Sequence, residues 1–273
     1  YILTAIIVVL LIVINRMNYR DKVELRKESV ETVEETKDSK AHKLSPETPP
    51  PSLRGIIGLV IDDFGYRNDE VSDGFLDLKA KLTYAVIPGH EYSTHFGKKA
   101  INKGYEIIVH MPLENLSNFE GEDEFVLRTS MNSKTLQDRL RAAFDQIPVA
   151  IGMNNHQGSK ASADKHVMSN IARVLKDKDL FFIDSRTTTE TVAESTMEVY
   201  NVPTSRRNVF LDNESDENKI TAQMLLLSQV AEEKGSAIGI GHVRPKTLKV
   251  LQKQIPALQK KGFKFEFVSN MLH

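Results

Sequence analysis

From Arg54 to the end of the chain, short apolar runs alternate with helical patterns, and this alternation restricts the possible folds more than any other feature. Strands that alternate with helices form βαβ units and a largely parallel, buried sheet. Residues 54–273 are therefore predicted to form a closed or nearly closed β/α barrel of seven to eight strands, with an open doubly wound sheet as the alternative. The strand-like runs are residues 56–61, 82–87, 106–109, 149–153, 180–183, 208–211, 237–240 and 263–268, and the clearest helical patterns are 135–144, 163–175, 216–234 and 246–261.

Residues 1–14 are predicted to be a membrane anchor. Residues 2–14 are apolar except for Thr4, and no small-x-small cleavage pattern follows them, which favours an uncleaved anchor over a signal peptide. A span needs roughly 20 apolar residues, so residues upstream of Tyr1 are expected to complete it. A buried core helix is the alternative. Arg16 and Arg20 favour a cytoplasmic flank, but the missing upstream flank leaves the orientation open.

Residues 15–53 are predicted to be a disordered linker. They are rich in Glu, Lys, Thr and Ser and end in a proline triplet at 49–51. Such a stretch buries too little apolar area to offset the entropy lost on ordering, and its proline end is locally stiff.

The composition excludes several kinds of site. The 36 Lys and Arg against 37 Asp and Glu give no basic stripe for nucleic acid, so no nucleic-acid partner is expected. The absence of cysteine excludes disulfides, thiolate zinc sites and cysteine nucleophiles. Any metal must therefore be held by His, Asp, Glu or Asn.

Polar residues follow nearly every strand-like run. In a parallel α/β fold the carboxyl ends of all strands lie on one face, where active sites form. Each of these residues could also have a purely structural role, because aspartates cap helices and a lone histidine is commonly a hydrogen-bonded rim residue. Their convergence on one face nevertheless predicts a metal-binding or acid–base site built from Asp62, Asp63, His90, His110, His156, Asp184, Asp212 and His242.

Several segments, taken in order, resemble the divergent polysaccharide deacetylases, distant relatives of the carbohydrate-esterase polysaccharide deacetylases. The resemblance covers roughly residues 55–272 and implies a distorted β/α barrel, a divalent metal that is usually zinc, and hydrolysis of N-acetyl groups on sugars. The segments that carry it are IGLVIDDFG, LTYAVIPG, KGYEIIVHMPLE, AIGMNNHQGSKASAD, LFFIDSRTT, RNVFLDN and AIGIGHVRPKTL.

The resemblance also implies roles for individual residues. Asp62 matches the catalytic base and Asp63 a metal ligand. His110 matches a metal-binding histidine, and His242 matches the general acid. Asp184 matches the aspartate that orients this acid.

The chain departs from the relatives' pattern at two points. Glu114 stands where a second metal-binding histidine is expected, so His156 is predicted to replace that ligand, while Glu114 is left as a substrate-binding or supporting residue. No arginine follows the fourth strand to tether the base, and Arg186 is predicted to take that role. Asn155 and Asp212 are further predicted to contact substrate or support the site.

The resulting prediction is a metal-dependent hydrolase that removes N-acetyl groups from a cell-envelope polysaccharide. Zinc is the expected metal. The domain would be held by its anchor on the extracytoplasmic side, in the periplasm or at the cell surface. The alternatives are a non-catalytic module that binds an envelope glycan or protein, and hydrolysis of an ester or phosphoester at the same site. The oligomeric state is left open.

Overall fold

A computed structural model of the protein describes residues 52–117 and 122–273. The predicted anchor and all of the predicted linker except residues 52 and 53 lie outside the described residues. Within the described ranges, no helix combines the length and the apolar character that a membrane crossing requires.

In the part of the chain that the structure describes, nine strands form one sheet, and all of their pairings are parallel. This confirms the predicted parallel β/α architecture. Several predicted strands shift by a few residues, and residues 204–206 form a short strand that the sequence pattern did not reveal. The strands are β1 (Gly55–Phe64), β2 (Thr83–Val86), β3 (Glu106–Leu113), β4 (Gly152–Gln157), β5 (Phe181–Asp184), β6 (Thr204–Arg206), β7 (Val209–Phe210), β8 (Ser236–His242) and β9 (Phe263–Glu266).

The helices cover the outside of the sheet and begin at residues suited to that position. Asp69 caps the first helix in a capping box with Ser72, and Pro245 opens the last, where a missing N–H costs nothing. The four predicted helices are present within two residues of their expected ends, and three shorter ones were missed. The helices are α1 (Glu70–Phe75), α2 (Ser93–Asn102), α3 (Ser133–Gln146), α4 (Lys165–Asp177), α5 (Ala193–Val199), α6 (Glu217–Lys234) and α7 (Pro245–Lys260).

The sheet curls until its two edges meet one chain segment. The strand order is β6-β5-β4-β3-β2-β1-β8-β7, and β9 pairs with the first half of β1. Residues 204–206 pair with β5, whereas Val209 and Phe210 pair with β8. The short segment from β6 to β7 therefore joins both edges of the curled sheet, and it places Asp212 beside the end of β8.

One apolar layer covers the outward face of the strands and a second covers their inward face. The outer layer joins strand residues such as Ile57, Leu59 and Ile61 to the helices. The inner layer contains no α-helical residue. Because side chains alternate along a strand, the inner layer shows which strand-end residues point into the barrel. Its buried members are Val60, Ala85, Ile108, Phe181, Ile183, Ile238, Ile240 and Val268.

Gly58 makes room for the inner layer near the amino ends of the strands. A Cβ at this position would lie 2.7 Å from the Met271 sulfur and 3.1 Å from Val268 Cγ1. Both residues belong to a 3-10 helix (Val268–Met271). This helix therefore packs under the inner face, while the carboxyl ends of the strands keep their polar residues.

Candidate metal and catalytic site

A β-bulge at the end of β1 brings two consecutive aspartates to the same site. The β1–β2 register shifts between Ile61 and Phe64, so that β1 carries one extra residue there. Asp63 occupies this bulge with φ 71°, a left-handed conformation that is uncommon for a non-glycine residue. In a regular strand Asp62 and Asp63 would point to opposite faces. The bulge turns both carboxylates towards the same histidines.

Asp63, His110 and His156 present three potential ligand atoms to one point. Asp63 Oδ1 lies 3.4 Å from His110 Nε2 and 3.4 Å from His156 Nδ1, and these two nitrogens are 3.1 Å apart. The three ligand atoms all lie within 4.8 Å of one another. These are the three residues that the sequence assigned to metal binding.

The chemistry of this cluster fits a divalent cation. Asp63 Oδ1 is buried and makes no hydrogen bond, although two imidazole nitrogens face it. A buried oxygen without a hydrogen-bond partner is costly unless something else satisfies it. Burial by itself would raise the pKa of Asp63, but the imidazoles of His110 and His156 outweigh burial and hold that pKa well below its usual range. One carboxylate and two imidazoles are a zinc-type donor set with coordination positions left open.

Asn154 connects the cluster of Asp63, His110 and His156 to Asp62. Its Oδ1 is 2.7 Å from His110 Nδ1, and its Nδ2 donates to Asp62 Oδ1 at 2.8 Å. Asn154 is fully buried. Since the amide oxygen can only accept, it keeps a proton on His110 Nδ1 and leaves Nε2 as a lone pair for the metal. One side chain therefore orients both His110, a candidate metal ligand, and the expected base.

Asp62 is buried and lies next to this cluster. Its Oδ2 is 3.6 Å from His110 Nε2. Burial raises the pKa of Asp62 because it disfavours the charged form, and this effect exceeds the opposing attraction of His110 and His242. A carboxylate with a raised pKa is suited to accepting a proton.

The second histidine–carboxylate contact pairs His242 with Asp212. His242 Nδ1 is 2.7 Å from Asp212 Oδ1, while its backbone N–H donates to Asp212 Oδ2 at 2.8 Å. Thr247 Oγ1 also donates to Asp212 Oδ2 at 2.6 Å. Burial by itself would lower the pKa of His242, but Asp212 outweighs burial and raises it. The remaining nitrogen, Nε2, lies 4.0 Å from Asp63 Oδ2, an oxygen of the candidate metal cluster.

The structure corrects the role assigned to Asp184. Ile183 belongs to the inner layer, so Asp184 points to the opposite face of β5. Its carboxylate accepts hydrogen bonds from Arg186 N at 2.7 Å and from Thr191 Oγ1 at 3.0 Å. The aspartate that orients His242 is therefore Asp212, and Asp184 shapes the loop after β5.

The structure also corrects the role assigned to Arg186. The side chain that donates a hydrogen bond to Asp62 is Asn154, not Arg186. Arg186 instead lines the cavity beside the site. Arg207, which the sequence analysis did not single out, also lines this cavity, and Asp62 is one of the charges that act on it.

Glu114 and Asn155 support the loops around the site. Glu114 Oε2 accepts from Thr129 N at 2.7 Å, and Glu114 Oε1 accepts from Lys160 Nζ at 2.9 Å. Asn155 Oδ1 accepts from Ser185 N at 2.9 Å. Glu114 is thus outside the cluster of Asp63, His110 and His156, the three residues that could hold a metal ion.

A cavity of about 370 Å³ opens beside the cluster. Its polar wall includes Asp62, His110, His156 and His242. Phe210 and Ile240 supply apolar surface. A cavity of this size accommodates a small group such as one substituted sugar ring.

Comparison with known proteins places this chain in a family. A sequence model described as divergent polysaccharide deacetylase matches residues 59–272. The chain is 34% identical over 205 residues to the uncharacterized protein YibQ of Escherichia coli K12, a match that covers 75% of this chain and 64% of that protein. It is 36% identical over 196 residues to an uncharacterized protein of Haemophilus influenzae, covering 72% and 69% respectively. The chain thus spans less than two thirds of the E. coli relative.

Solved structures show the same fold at low sequence identity. An uncharacterized protein from Agrobacterium tumefaciens C58 superposes with a TM-score of 0.75 at 20% identity, covering 83% of this chain and 92% of that one. The catalytic domain of a peptidoglycan N-acetylglucosamine deacetylase from Eubacterium rectale superposes with a TM-score of 0.52 at 13% identity, covering 84% of this chain and 92% of that one. A CE4-family pseudoenzyme from Bacillus anthracis superposes with a TM-score of 0.51 at 13% identity, covering 85% of this chain and 72% of that one. On the match over residues 59–272, the chain belongs to the divergent polysaccharide deacetylase family.

Proposed function

We propose that this protein is a metal-dependent hydrolase that removes N-acetyl groups from a cell-envelope polysaccharide. The reaction breaks the C–N bond of an acetamido group with water and gives acetate and a free amine. The observation that carries the proposal is the convergence of Asp63, His110 and His156 next to a buried carboxylate and an aspartate-bound histidine.

The metal would be held by Asp63 Oδ1, His110 Nε2 and His156 Nδ1. A bound divalent ion polarises a carbonyl and lowers the pKa of water towards about 7. Nitrogen and oxygen donors favour zinc, although cobalt, nickel, iron or manganese suit the same set. Asn154 fixes the His110 ring for this role by its hydrogen bond at Nδ1.

Asp62 is the proposed base that takes a proton from the attacking water. Its Oδ1 is occupied by the Asn154 amide, so Oδ2, on the side of His110, is left to accept the proton. Burial raises the pKa of this carboxyl, which strengthens it as a base relative to an exposed aspartate.

His242 is the proposed acid that protonates the leaving amine. Asp212 accepts the hydrogen bond at Nδ1 and therefore leaves Nε2 to carry the transferable proton. Asp212 also raises the pKa of His242 against the opposing effect of burial, so the ring keeps its second proton to higher pH than an exposed histidine. Without that proton the amine would have to leave as an anion.

We further propose that the protein acts in the cell envelope, held at the membrane by the apolar residues 2–14 and the linker that follows. This proposal rests on the sequence alone. Fractionation of cells that express the full chain checks it: recovery in the membrane fraction with protease-accessible epitopes on the extracytoplasmic side supports it, and recovery in the soluble fraction contradicts it.

The activity is tested by acetate release from N-acetylglucosamine oligomers with the zinc-loaded full chain. Wild type is expected to release acetate, and Asp62→Asn, which keeps the size of the side chain but removes its basicity, is expected to lose about 10²–10⁴-fold in rate. Equal rates for wild type and Asp62→Asn would contradict the proposed mechanism. Glycan binding without acetate release from any N-acetylated polymer would instead indicate a non-catalytic binding module.

A further inference from the structure

Two arginines line the same cavity as the histidines. Arg186 and Arg207 both line the cavity, together with Asp62 and His242. The proposed acid–base mechanism uses neither arginine. Their positive charge beside the reaction site therefore needs a separate explanation.

Arg207 is held in place by its own hydrogen bonds. Its Nε donates to the Ser185 carbonyl at 2.7 Å, and its Nη2 donates to the Arg186 carbonyl at 2.9 Å. The guanidinium also lies 4.7 Å from the centre of the Phe210 ring. Arg207 therefore holds the loop after β5 by two hydrogen bonds and adds a positive charge to the cavity lining.

The loop presents Arg186 in a strained conformation that is fixed from two sides. Its φ is 53°, in the left-handed region, which costs free energy for any non-glycine residue. Its N–H donates to the buried Asp184 carboxylate at 2.7 Å, and its carbonyl accepts from Arg207. Strain maintained by buried partners is typical of a residue whose side chain must point in one direction.

The Arg186 guanidinium itself is left available. Among the described residues, no side chain forms a hydrogen bond or a salt bridge with it, even though it lines the cavity. The charge of Arg186 acts on the buried Asp184, but the Asp184 carboxylate accepts its hydrogen bonds from the Arg186 backbone N–H and from Thr191 Oγ1. A side chain with five N–H donors in a planar fork thus lines the cavity without a hydrogen bond or salt bridge to a described side chain.

We propose that the substrate carries an anionic group, a carboxylate or a phosphate, close to its acetamido group, and that Arg186 binds this anion. A guanidinium forms paired hydrogen bonds with either anion, and partial enclosure strengthens the attraction. Arg207 adds its charge to the same wall. The inference rests on the proposed deacetylase function and specifies the substrate class: an acidic N-acetylated sugar.

Three sugars that differ in one substituent test the proposal. N-Acetylglucosamine is neutral, N-acetylmuramic acid adds a carboxylate, and N-acetylglucosamine 6-phosphate adds a phosphate. Their dissociation constants are measured by calorimetry on the zinc-loaded full chain. At least one acidic sugar is expected to bind roughly tenfold or more tightly than the neutral one, the effect of one charge-assisted hydrogen-bond pair. Which of the two does so distinguishes carboxylate from phosphate recognition.

Arg186→Gln separates the arginine from other sources of anion affinity, including the metal. This variant is expected to lose the preference for the acidic sugar while it binds N-acetylglucosamine as wild type does. Arg186→Lys, which keeps the charge but not the fork, is expected to be intermediate. Arg206→Gln is the matched control, since Arg206 carries the same charge on β6 but pairs with Glu194 and does not line the cavity. It is expected to keep the full preference, and thermal melts check that all variants fold.

The proposal is overturned if wild type binds the three sugars equally or shows no measurable binding of either acidic sugar at millimolar concentration. A preference that survives Arg186→Gln also overturns it. Acetate release from neutral oligomers is measured separately, so these outcomes leave the proposed hydrolysis standing. Conversely, an Arg186-dependent preference in a chain that releases no acetate from any of the sugars would overturn hydrolysis and retain anion recognition.

Discussion

Two carboxylate–histidine contacts lie at the same end of this barrel and differ in how their atoms are satisfied. Asp212 is fully engaged: His242 Nδ1 and the His242 backbone N–H lie 2.7 Å and 2.8 Å from its oxygens. Asp63 Oδ1 faces two imidazole nitrogens at 3.4 Å and hydrogen-bonds to neither. A satisfied pair orients a ring and shifts its pKa, whereas a carboxylate oxygen and two imidazole nitrogens that converge on one point suit a cation. Residue type alone would not have separated these two roles.

The largest expected effect comes from removing Asp63, the carboxylate whose Oδ1 has no hydrogen-bond partner. Asp63→Ala takes away the only carboxylate of the cluster, and the loss of acetate release should exceed the roughly 10²–10⁴-fold that a single acid or base contributes. Asp77→Ala is the matched control, since Asp77 is exposed and pairs with Lys103 on the surface. Activity of Asp63→Ala within a few-fold of this control would contradict the comparison.

Removing the ring of the satisfied pair should affect turnover but not metal binding. His242→Ala is expected to lower kcat by about 10²–10⁴-fold because the leaving amine loses its proton donor. The bound metal should be unchanged, since the His242 nitrogen is not among the three clustered ligand atoms. His166→Ala serves as control, because His166 is exposed and its ring contacts the Met131 carbonyl. Loss of metal from His242→Ala would show that the two contacts are one site.

Asn154→Ala should weaken the metal-binding cluster without removing a ligand. Supporting residues of this kind typically contribute about 10–100-fold in metal affinity, since they fix the tautomer and orientation of a ligand. Asn170→Ala is closely matched: Asn170 is also buried and also makes two amide hydrogen bonds at 2.8 Å, but within and between helices. Zinc affinity is measured by competition with a chromophoric chelator. Equal affinities for the two variants would show that Asn154 is only a packing residue.

The smallest expected effect is the pH dependence of the stability that the Asp212–His242 pair gives the metal-free protein. Asp212 raises the pKa of His242 above its ordinary value of 6.5, so this stabilisation is present below about 6.5 and is lost as pH rises through the raised value. The pKa of Asp212 is lowered, because its hydrogen bonds with His242 outweigh burial, so its own contribution is lost only as pH falls through that lowered value.

Asp212→Asn should therefore destabilise the protein more at about pH 6 than at about pH 9, and it should lower the pKa of the His242 ring. Urea unfolding at the two pH values measures the first effect and NMR titration of the ring the second. A difference in unfolding free energy that does not change with pH would show that Asp212 acts on His242 only by packing.

The sequence predicted the parallel barrel and the convergence of Asp62, Asp63, His110 and His156, because strand-end position is visible in a pattern of apolar runs. The alternation of side chains along a strand could also have predicted which face of the sheet Asp184 and Asp212 occupy. Ile183 faces inwards and therefore places Asp184 outwards, whereas Phe210 lines the cavity and places Asp212 inwards. The expected role of Asp184 was wrong for this reason.

Other features depended on pairing that a single sequence does not display. The bulge that turns Asp63 towards the histidines appears only in the β1–β2 register. Asn154 reaches Asp62 from another strand, and Arg207 reaches the loop after β5 from the segment that joins the two sheet edges. An asparagine or arginine next to a strand is common, so neither residue stood out before its partners were in place.

Metal content tests the central claim most directly. The full chain is loaded with Zn²⁺, freed of excess metal and analysed for bound zinc in parallel with Asp63→Ala, His110→Ala, His156→Ala and His242→Ala. The account predicts about one ion per chain in wild type and His242→Ala, and little or none in the other three. Metal-free wild type, or a full complement of zinc in Asp63→Ala, would contradict it.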